Sequence, residues 1–291
     1  MLKPLPADTF ENLFYPPKGY KYFENADPNP LRPQAQGFEP VNAWWMADCS
    51  LLAYEQDPDY VRSCLQSAGL ETEALLGEWG PGHRGTEGFI ASNASVVIVA
   101  FRGTEKDDTQ DALTDIDVIP CEESGCKVHR GFKLALDQVW AVVTAALERL
   151  RGRPVFFTGH SLGAALGSLA AWRWEAGSTL YTYGSPRVGN GSFRDQLLAK
   201  TRRIYRVVNC QDAVSQVPLE GPDYTHVGEE KYFDRNHRLN NGLSRLGRWW
   251  DGLLGQWGHR RALVEGAPEF FLGNHSPGRY AVLTWNHYAS R

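Results

Sequence analysis

Pro154-Val155-Phe156-Phe157-Thr158-Gly159-His160-Ser161-Leu162-Gly163-Ala164-Ala165-Leu166-Gly167 is the stretch whose reading decides the fold of this chain. Val155, Phe156 and Phe157 form a short run of bulky strand formers, as in a parallel strand buried on both faces. Ala164 to Trp174 is rich in Ala and Leu and free of Pro, which predicts a helix. Between them stands Gly159-x-Ser161-x-Gly163, the pattern of a sharp strand-to-helix turn that presents a nucleophilic serine. Side chains at the flanks of so tight a turn would run into the adjoining strand and helix. The serine is expected in a strained conformation, its hydroxyl raised above the sheet at the positive end of the helix dipole. The same residues could make an ordinary glycine-rich turn, so partners for the serine must be sought along the chain.

The 291 residues suffice for one large α/β domain or two small ones. A net charge of −4 argues against a nucleic-acid partner, which would want a basic face. The longest apolar run, Val96 to Phe101, is far short of the ~20 residues that span a bilayer. Met1-Leu2-Lys3-Pro4-Leu5-Pro6 lacks the apolar core of a secretory leader, which favours a cytoplasmic over a secreted chain. The cysteines, Cys49, Cys64, Cys121, Cys126 and Cys210, are odd in number and show no C-x-x-C spacing. Free thiols in a reducing compartment are favoured over a Cys121–Cys126 loop disulfide, and no zinc site is expected.

Residues 1–40, rich in Pro, Asn and aromatics, read as an extended arm packed on a domain spanning 41–291. Val41–Glu55 and Asp59–Ala68 read as helices, Thr86–Asn93 and Ser95–Phe101 as adjacent strands, and Gly131–Leu150 as a long amphipathic helix. The elbow strand and helix follow, then a strand at Thr179–Tyr183, a helix at Asn190–Lys200 and a strand at Ile204–Val208. This alternation predicts an α/β fold with a mainly parallel central sheet and helices on both faces. The acidic loop Glu105 to Asp117 does not match calcium-loop spacing and reads as a solvated face; no metal is expected.

A serine at such an elbow is inert without a general base, a carboxylate to orient the base, and donors for the developing oxyanion. On this fold the chain order is Ser, then Asp or Glu, then His. Asp212 fits, just past the Ile204–Val208 strand, where sites of open α/β sheets lie. Asp195 falls inside a predicted helix, and Asp223 lies farther from a strand end. His226, His237, His259, His275 and His287 all come late enough to be the base. One oxyanion donor is the amide of Leu162, directly after the nucleophile.

Several motifs now occur in order: Phe101-Arg102-Gly103-Thr104, Val128-His129-Arg130-Gly131-Phe132, Gly159-His160-Ser161-Leu162-Gly163-Ala164-Ala165, Tyr183-Gly184-Ser185-Pro186-Arg187-Val188-Gly189-Asn190, Arg206-Val207-Val208-Asn209 with Asp212 and Pro218, and His226-Val227-Gly228. From about Ala43 to Tyr288 the chain resembles the class 3, or fungal-type, lipases of the α/β-hydrolase superfamily. The resemblance implies a hydrolase of carboxylic esters of lipids, with Ser161 as nucleophile, Asp212 as the acid and no cofactor. It favours His275, in His275-Ser276-Pro277-Gly278-Arg279-Tyr280, as the base, with His287 as the fallback and His226 in a non-catalytic His-x-Gly stretch. It places the second oxyanion donor at Thr104. Arg102 reads as a structural ion-pair residue rather than a substrate ligand. His129 and His160 are expected to pack or to bond the backbone.

Two stretches are candidates for a lid or acyl-binding wall. The resemblance implies the first, about Asp107 to Lys127, with Leu113 and Ile116. The second is an apparent insertion at about 236–271, where Leu243, Leu246, Trp250, Leu253, Leu254 and Trp257 recur at helical spacing among arginines. Its composition is that of an interfacial helix, which implies transient contact with a membrane or lipid interface. Four glycines oppose a helix there, and a helix packing its Trp residues onto the domain is the competing reading. The expected partner is a lipid or small ester substrate. Esterase action on small soluble or aromatic esters, and a catalytically silent hydrolase fold that binds lipids or partners, remain the alternatives.

Overall fold

The computed structural model describes residues 1–7, 12, 16–80, 85–103, 119–201, 203–210, 212–241 and 273–291. Helices α1 (Pro40–Leu52) and α2 (Pro58–Ser67) come first, each opening with Pro at its first position, where the missing N–H leaves no bond unmade. Strands β1 (Glu71–Leu76), β2 (Gly88–Asn93) and β3 (Val96–Phe101) follow, then a hairpin of β4 (Pro120–Glu123) and β5 (Cys126–His129). The long α3 (Arg130–Arg149), β6 (Val155–His160), α4 (Leu162–Arg173), β7 (Thr179–Tyr183), α5 (Gly191–Lys200) and β8 (Arg203–Asn209) complete the strand–helix alternation. β9 (Glu229–Phe233), β10 (Leu239–Asn241) and the final helix α6 (Pro277–Ala289) close the described chain.

Among the described residues the main sheet has eight strands in the order β1-β2-β3-β6-β7-β8-β9-β10. β3, β6, β7, β8 and β9 pair in parallel, and antiparallel β1, β2 and β10 finish the two edges. The sheet is therefore mainly parallel at its centre, as the alternation predicts. Alternate residues of the central strands feed two cores. Val97, Val99, Phe157 and Leu180 face α3 and α4, with Leu136, Val143, Ala165 and Leu169. Ile98, Phe156, Tyr181 and Tyr183 face α1 and α6, with Trp44, Met46, Leu51, Tyr280 and Trp285.

Register sets the site. Phe101 pairs with Gly159, His160 with Tyr183, and Tyr183 with Val207. The carboxyl ends of β3, β6, β7 and β8 thus end side by side, bringing Gly103, Ser161, Gly184 and the stretch after Asn209 together. Several elements differ from the sequence reading. β1, the β4–β5 hairpin, β9 and β10 were not predicted, and the first residues of the expected insertion form β10, antiparallel to β9. The hairpin occupies the end of the expected 107–127 lid. No disulfide joins the five cysteines, all of which are described. Cys121 stands opposite Val128 and Cys126 opposite Glu123, so the two are diagonal rather than facing.

Candidate active site

Ser161 has φ 58° and ψ −126°, the left-handed backbone that a non-glycine residue adopts at a cost of about 1–3 kcal/mol. The turn holds because its flanks are glycine. A side chain on Gly159 would overlap the Gly163 backbone, and one on Gly163 would overlap the Phe101 carbonyl. The Ser161 amide donates to Tyr183 O at 3.0 Å, so β7 also fixes the elbow. Leu162 is the first residue of α4, and its N–H has no acceptor within the helix by position.

Asp212 is buried at 2% exposure and accepts bonds on both oxygens. His275 Nδ1 lies 2.9 Å from Oδ2 and 3.0 Å from Oδ1. The Tyr280 hydroxyl donates to Oδ2 at 2.6 Å, and the Val214 amide to Oδ1 at 3.0 Å. Burial first, and then the neighbouring Asp212 charge, lift the Tyr280 phenol well above its ordinary range, so it stays a donor. The Asn209 amide donates to the same phenol oxygen at 2.9 Å, anchoring it to the end of β8. With Asp212 accepting at Nδ1, His275 carries its proton there and keeps the lone pair on Nε2, which has no partner among the described residues.

His275 sits where the chain enters α6. Ser276 caps that helix, and Asn209 Nδ2 donates to Asn274 O at 3.0 Å, tying the turn to β8. Gly184, at φ 57°, leaves room: a side chain there would stand 2.6 Å from Asp212 Oδ2 and 2.8 Å from His275 Nδ1. Arg187 clamps the loop after Asp212, its guanidinium bonding Gln216 O and Pro218 O and its amide bonding Val217 O at 2.8 Å.

The other sequence candidates are placed as follows. His226 Nε2 lies 2.7 Å from Ser215 O and supports the Asp212 loop. His287 lies in the last turn of α6 against Phe233, and burial lowers its pKa to about 4. His237 lies in the β9–β10 turn, and His259 is outside the described residues. Asp195 pairs with Arg194 and Asp223 with Lys127, both away from Ser161. Arg102 forms a buried ion pair with Glu87, in keeping with a structural role. His129 caps α3, accepting from the Phe132 amide, and stacks on Phe132. His160 packs its ring 4.3 Å from that of His275, centroid to centroid, and bonds Tyr54. Thr104, Leu113, Ile116, Trp250 and Trp257 lie outside the described residues. The sequence reading missed the part of Tyr280, seen only as a spacing marker, and of Tyr54, counted only as one position in an apolar stripe.

The model of the class 3 lipase family matches residues 98–221. Secreted mono- and diacylglycerol lipase 1 of Fusarium solani is 38% identical over 118 residues, 38% of this chain and 35% of that protein. Secreted mono- and diacylglycerol lipase A of Penicillium cyclopium is 32% identical over 157 residues, 50% of this chain and 51% of its own length. The aligned part of the chain thus spans about half or less of these curated relatives. The crystal structure of mono- and diacylglycerol lipase from Aspergillus oryzae superposes with a TM-score of 0.63 at 21% identity, over 84% of this chain and 99% of that one, a likeness of fold. The secreted relatives overturn the preference for the cytoplasm and point to secretion. That preference rested on the composition of residues 1–6 and on unbridged thiols. Buried thiols, as at Cys49 and Cys126, are shielded from oxidants in any compartment, so they do not report on it.

Proposed function

We propose that this chain, whose residues 98–221 match the class 3 lipase model, is a lipase of that type and that it hydrolyses carboxylic esters of lipids, acylglycerols among them, through an acyl-enzyme on Ser161. The observation that carries the reading is the buried Asp212 carboxylate bonded to His275 Nδ1, on the loops that flank a strained serine elbow. Ser161 Oγ attacks the acyl carbonyl while His275 Nε2 takes its proton. Asp212 holds the imidazolium that results. The amides of Leu162 and Thr104 bond the oxyanion of the tetrahedral intermediate. His275 then gives the proton to the leaving alcohol, and a water activated by the same Nε2 releases the fatty acid. On their sequence pattern, acyl binding and contact with the lipid interface are assigned to Leu113, Ile116, Trp250 and Trp257.

A fluorophosphonate probe tests this reading. It is expected to label the wild-type chain and to leave Ser161→Ala unlabelled and inactive. Labelling or turnover retained by Ser161→Ala rejects the nucleophile, and an unlabelled, inactive wild type turns the reading to a silent binder. A series of p-nitrophenyl esters from acetate to palmitate separates a lipase from an esterase of small soluble esters.

A further inference from the structure

Tyr54 stands one residue beyond the C-cap of α1, fully buried at 3% exposure, with its hydroxyl at the junction of three parts of the site. Its oxygen lies 2.8 Å from His160 Nδ1, in the residue before Ser161. The Gly103 amide donates to the same oxygen, in the residue before Thr104. The approach is so close that any side chain on Gly103 would overlap the phenol and the His160 carbonyl. His160 in turn lies against the ring of His275.

The protons in this junction can be assigned. Burial, and then the neighbouring His275, hold the His160 imidazole well below its ordinary pKa, so it is neutral. Burial holds the Tyr54 phenol above its ordinary pKa, so it keeps its proton. With the Gly103 N–H occupying one lone pair, the single O–H of Tyr54 must find an acceptor, and His160 Nδ1 is within reach. Tyr54 therefore donates to Nδ1, and His160 is the Nε2–H tautomer.

We propose that Tyr54 is a positioning residue for the oxyanion hole: its hydroxyl locks the end of β3 to the serine elbow and so fixes the spacing between the Thr104 and Leu162 amides. The inference rests on the Ser161 reading above. The pairing of β3 with β6 ends at Phe101 and Gly159, so Gly103 lies beyond the ladder and strand pairing alone does not hold it. The Tyr54 hydroxyl joins Gly103, one residue before Thr104, to His160, two residues before Leu162. Displaced donors are felt in the transition state, where charge sits on the oxygen, and hardly in ground-state binding.

The test compares the wild-type chain with Tyr54→Phe, which removes one oxygen and keeps the ring. Deleting an oxyanion donor outright costs ~10²–10³-fold in kcat, so loosening one is expected to lower kcat by ~10–100-fold. KM for p-nitrophenyl butyrate should stay within about twofold, and the inhibition constant of an alkyl boronic acid, which forms a tetrahedral adduct on the serine, should rise in step with the loss of kcat. His160→Leu, lacking the acceptor, should match Tyr54→Phe. His160→Asn, whose amide oxygen can reach the Nδ1 position, should recover most of the rate, and the Tyr54→Phe/His160→Leu double variant should be no worse than either single one. An unchanged kcat, a loss confined to KM, or additive losses in the double variant would overturn the proposal. If Tyr54→Phe does not fold, the two His160 variants decide the matter by the same criteria. Ser161→Ala runs beside them: activity there overturns the nucleophile, whereas its silence with full activity in Tyr54→Phe overturns Tyr54 alone.

Discussion

Gly184 leaves no spare room in the site. It holds a left-handed backbone beneath the Asp212–His275 pair, and a methyl group there would press on both partners. Gly184→Ala is expected to lower kcat by ~10²-fold or more, because a misplaced base is nearly a lost one, and to lower the melting temperature by several degrees. An active variant with unchanged kcat would mean that the pair can shift without loss. His275→Ala should be as damaging as Ser161→Ala, since the triad acts as a unit and leaves only ~10³–10⁴-fold over water when broken. His226→Ala and His287→Ala should be far milder, for the first supports a loop and the second packs on Phe233. Rates for these four variants on one soluble ester decide which histidine is the base. At this scale the elbow was legible because sterics impose its glycines, and Asp212 because it follows a clear strand. The histidine was not legible from the residues: several come late in the chain, and only the fold shows which one meets the carboxylate.

The elements that were legible are those whose residues are dictated by burial on both sides. β3 is an unbroken apolar run with every residue buried, and β7 is buried throughout. β1 begins with Glu71-Thr72-Glu73 and is largely half-exposed at the sheet edge, and β9 begins with two glutamates. Strands at or next to the sheet edge that open on charged residues carry little periodic signal, which is why β1 and β9 were missed. The β4–β5 hairpin was hidden differently, as four-residue strands in a stretch read for its function. The loop from Asp212 to Pro218 has no regular structure beyond a single turn at Val214–Gln216, so side chains must hold it. Arg187 does so through the carbonyls of Gln216, Val217 and Pro218. Arg187→Ala should lower the melting temperature by an amount equivalent to ~2–3 kcal/mol, since two bonds from a charged donor to backbone carbonyls are lost, and reduce kcat by releasing Asp212. Arg187→Lys keeps the charge without the fork and should recover stability in part. Melts and steady-state rates on the two variants check this, and wild-type values in Arg187→Ala would mean that the loop holds itself.

Across the whole molecule, the helix pair α1 and α6 joins the described N-terminal residues to the site. The N-terminal stretch packs Tyr22 and Phe23 into the core of that face, and Trp285 of α6 donates to Met1 O at 2.9 Å. A buried polar point of the contact is Asp48 of α1, which accepts the Tyr20 hydroxyl at 2.6 Å and the Phe23 amide at 2.9 Å. Burial raises its pKa to about 6; the bonds from Tyr20 and Phe23, the Lys3 charge and Trp44 oppose the rise without cancelling it. The sign follows from linkage. The carboxyl titrates near 3.9 when unfolded, so between about pH 4 and 6 the native state holds the proton and the unfolded chain does not. Its contribution is therefore most favourable below about pH 4, declines as pH rises to about 6, and then stays flat, a loss on the order of 3 kcal/mol at neutral pH. Asp48→Asn removes the titration while keeping the contacts: its oxygen can accept the Phe23 amide and its amide can donate to the Tyr20 oxygen. The variant is expected to melt above the wild type at about pH 7.5 and to lose that advantage on descent to about pH 4, where the wild-type carboxyl is itself protonated in both states. Carboxylates elsewhere titrate alike in the two chains, so the difference between their melting curves isolates Asp48. A difference that is constant across this range would show that the carboxyl does not change protonation there, and that the N-terminal stretch is held as firmly by the ion as by the acid.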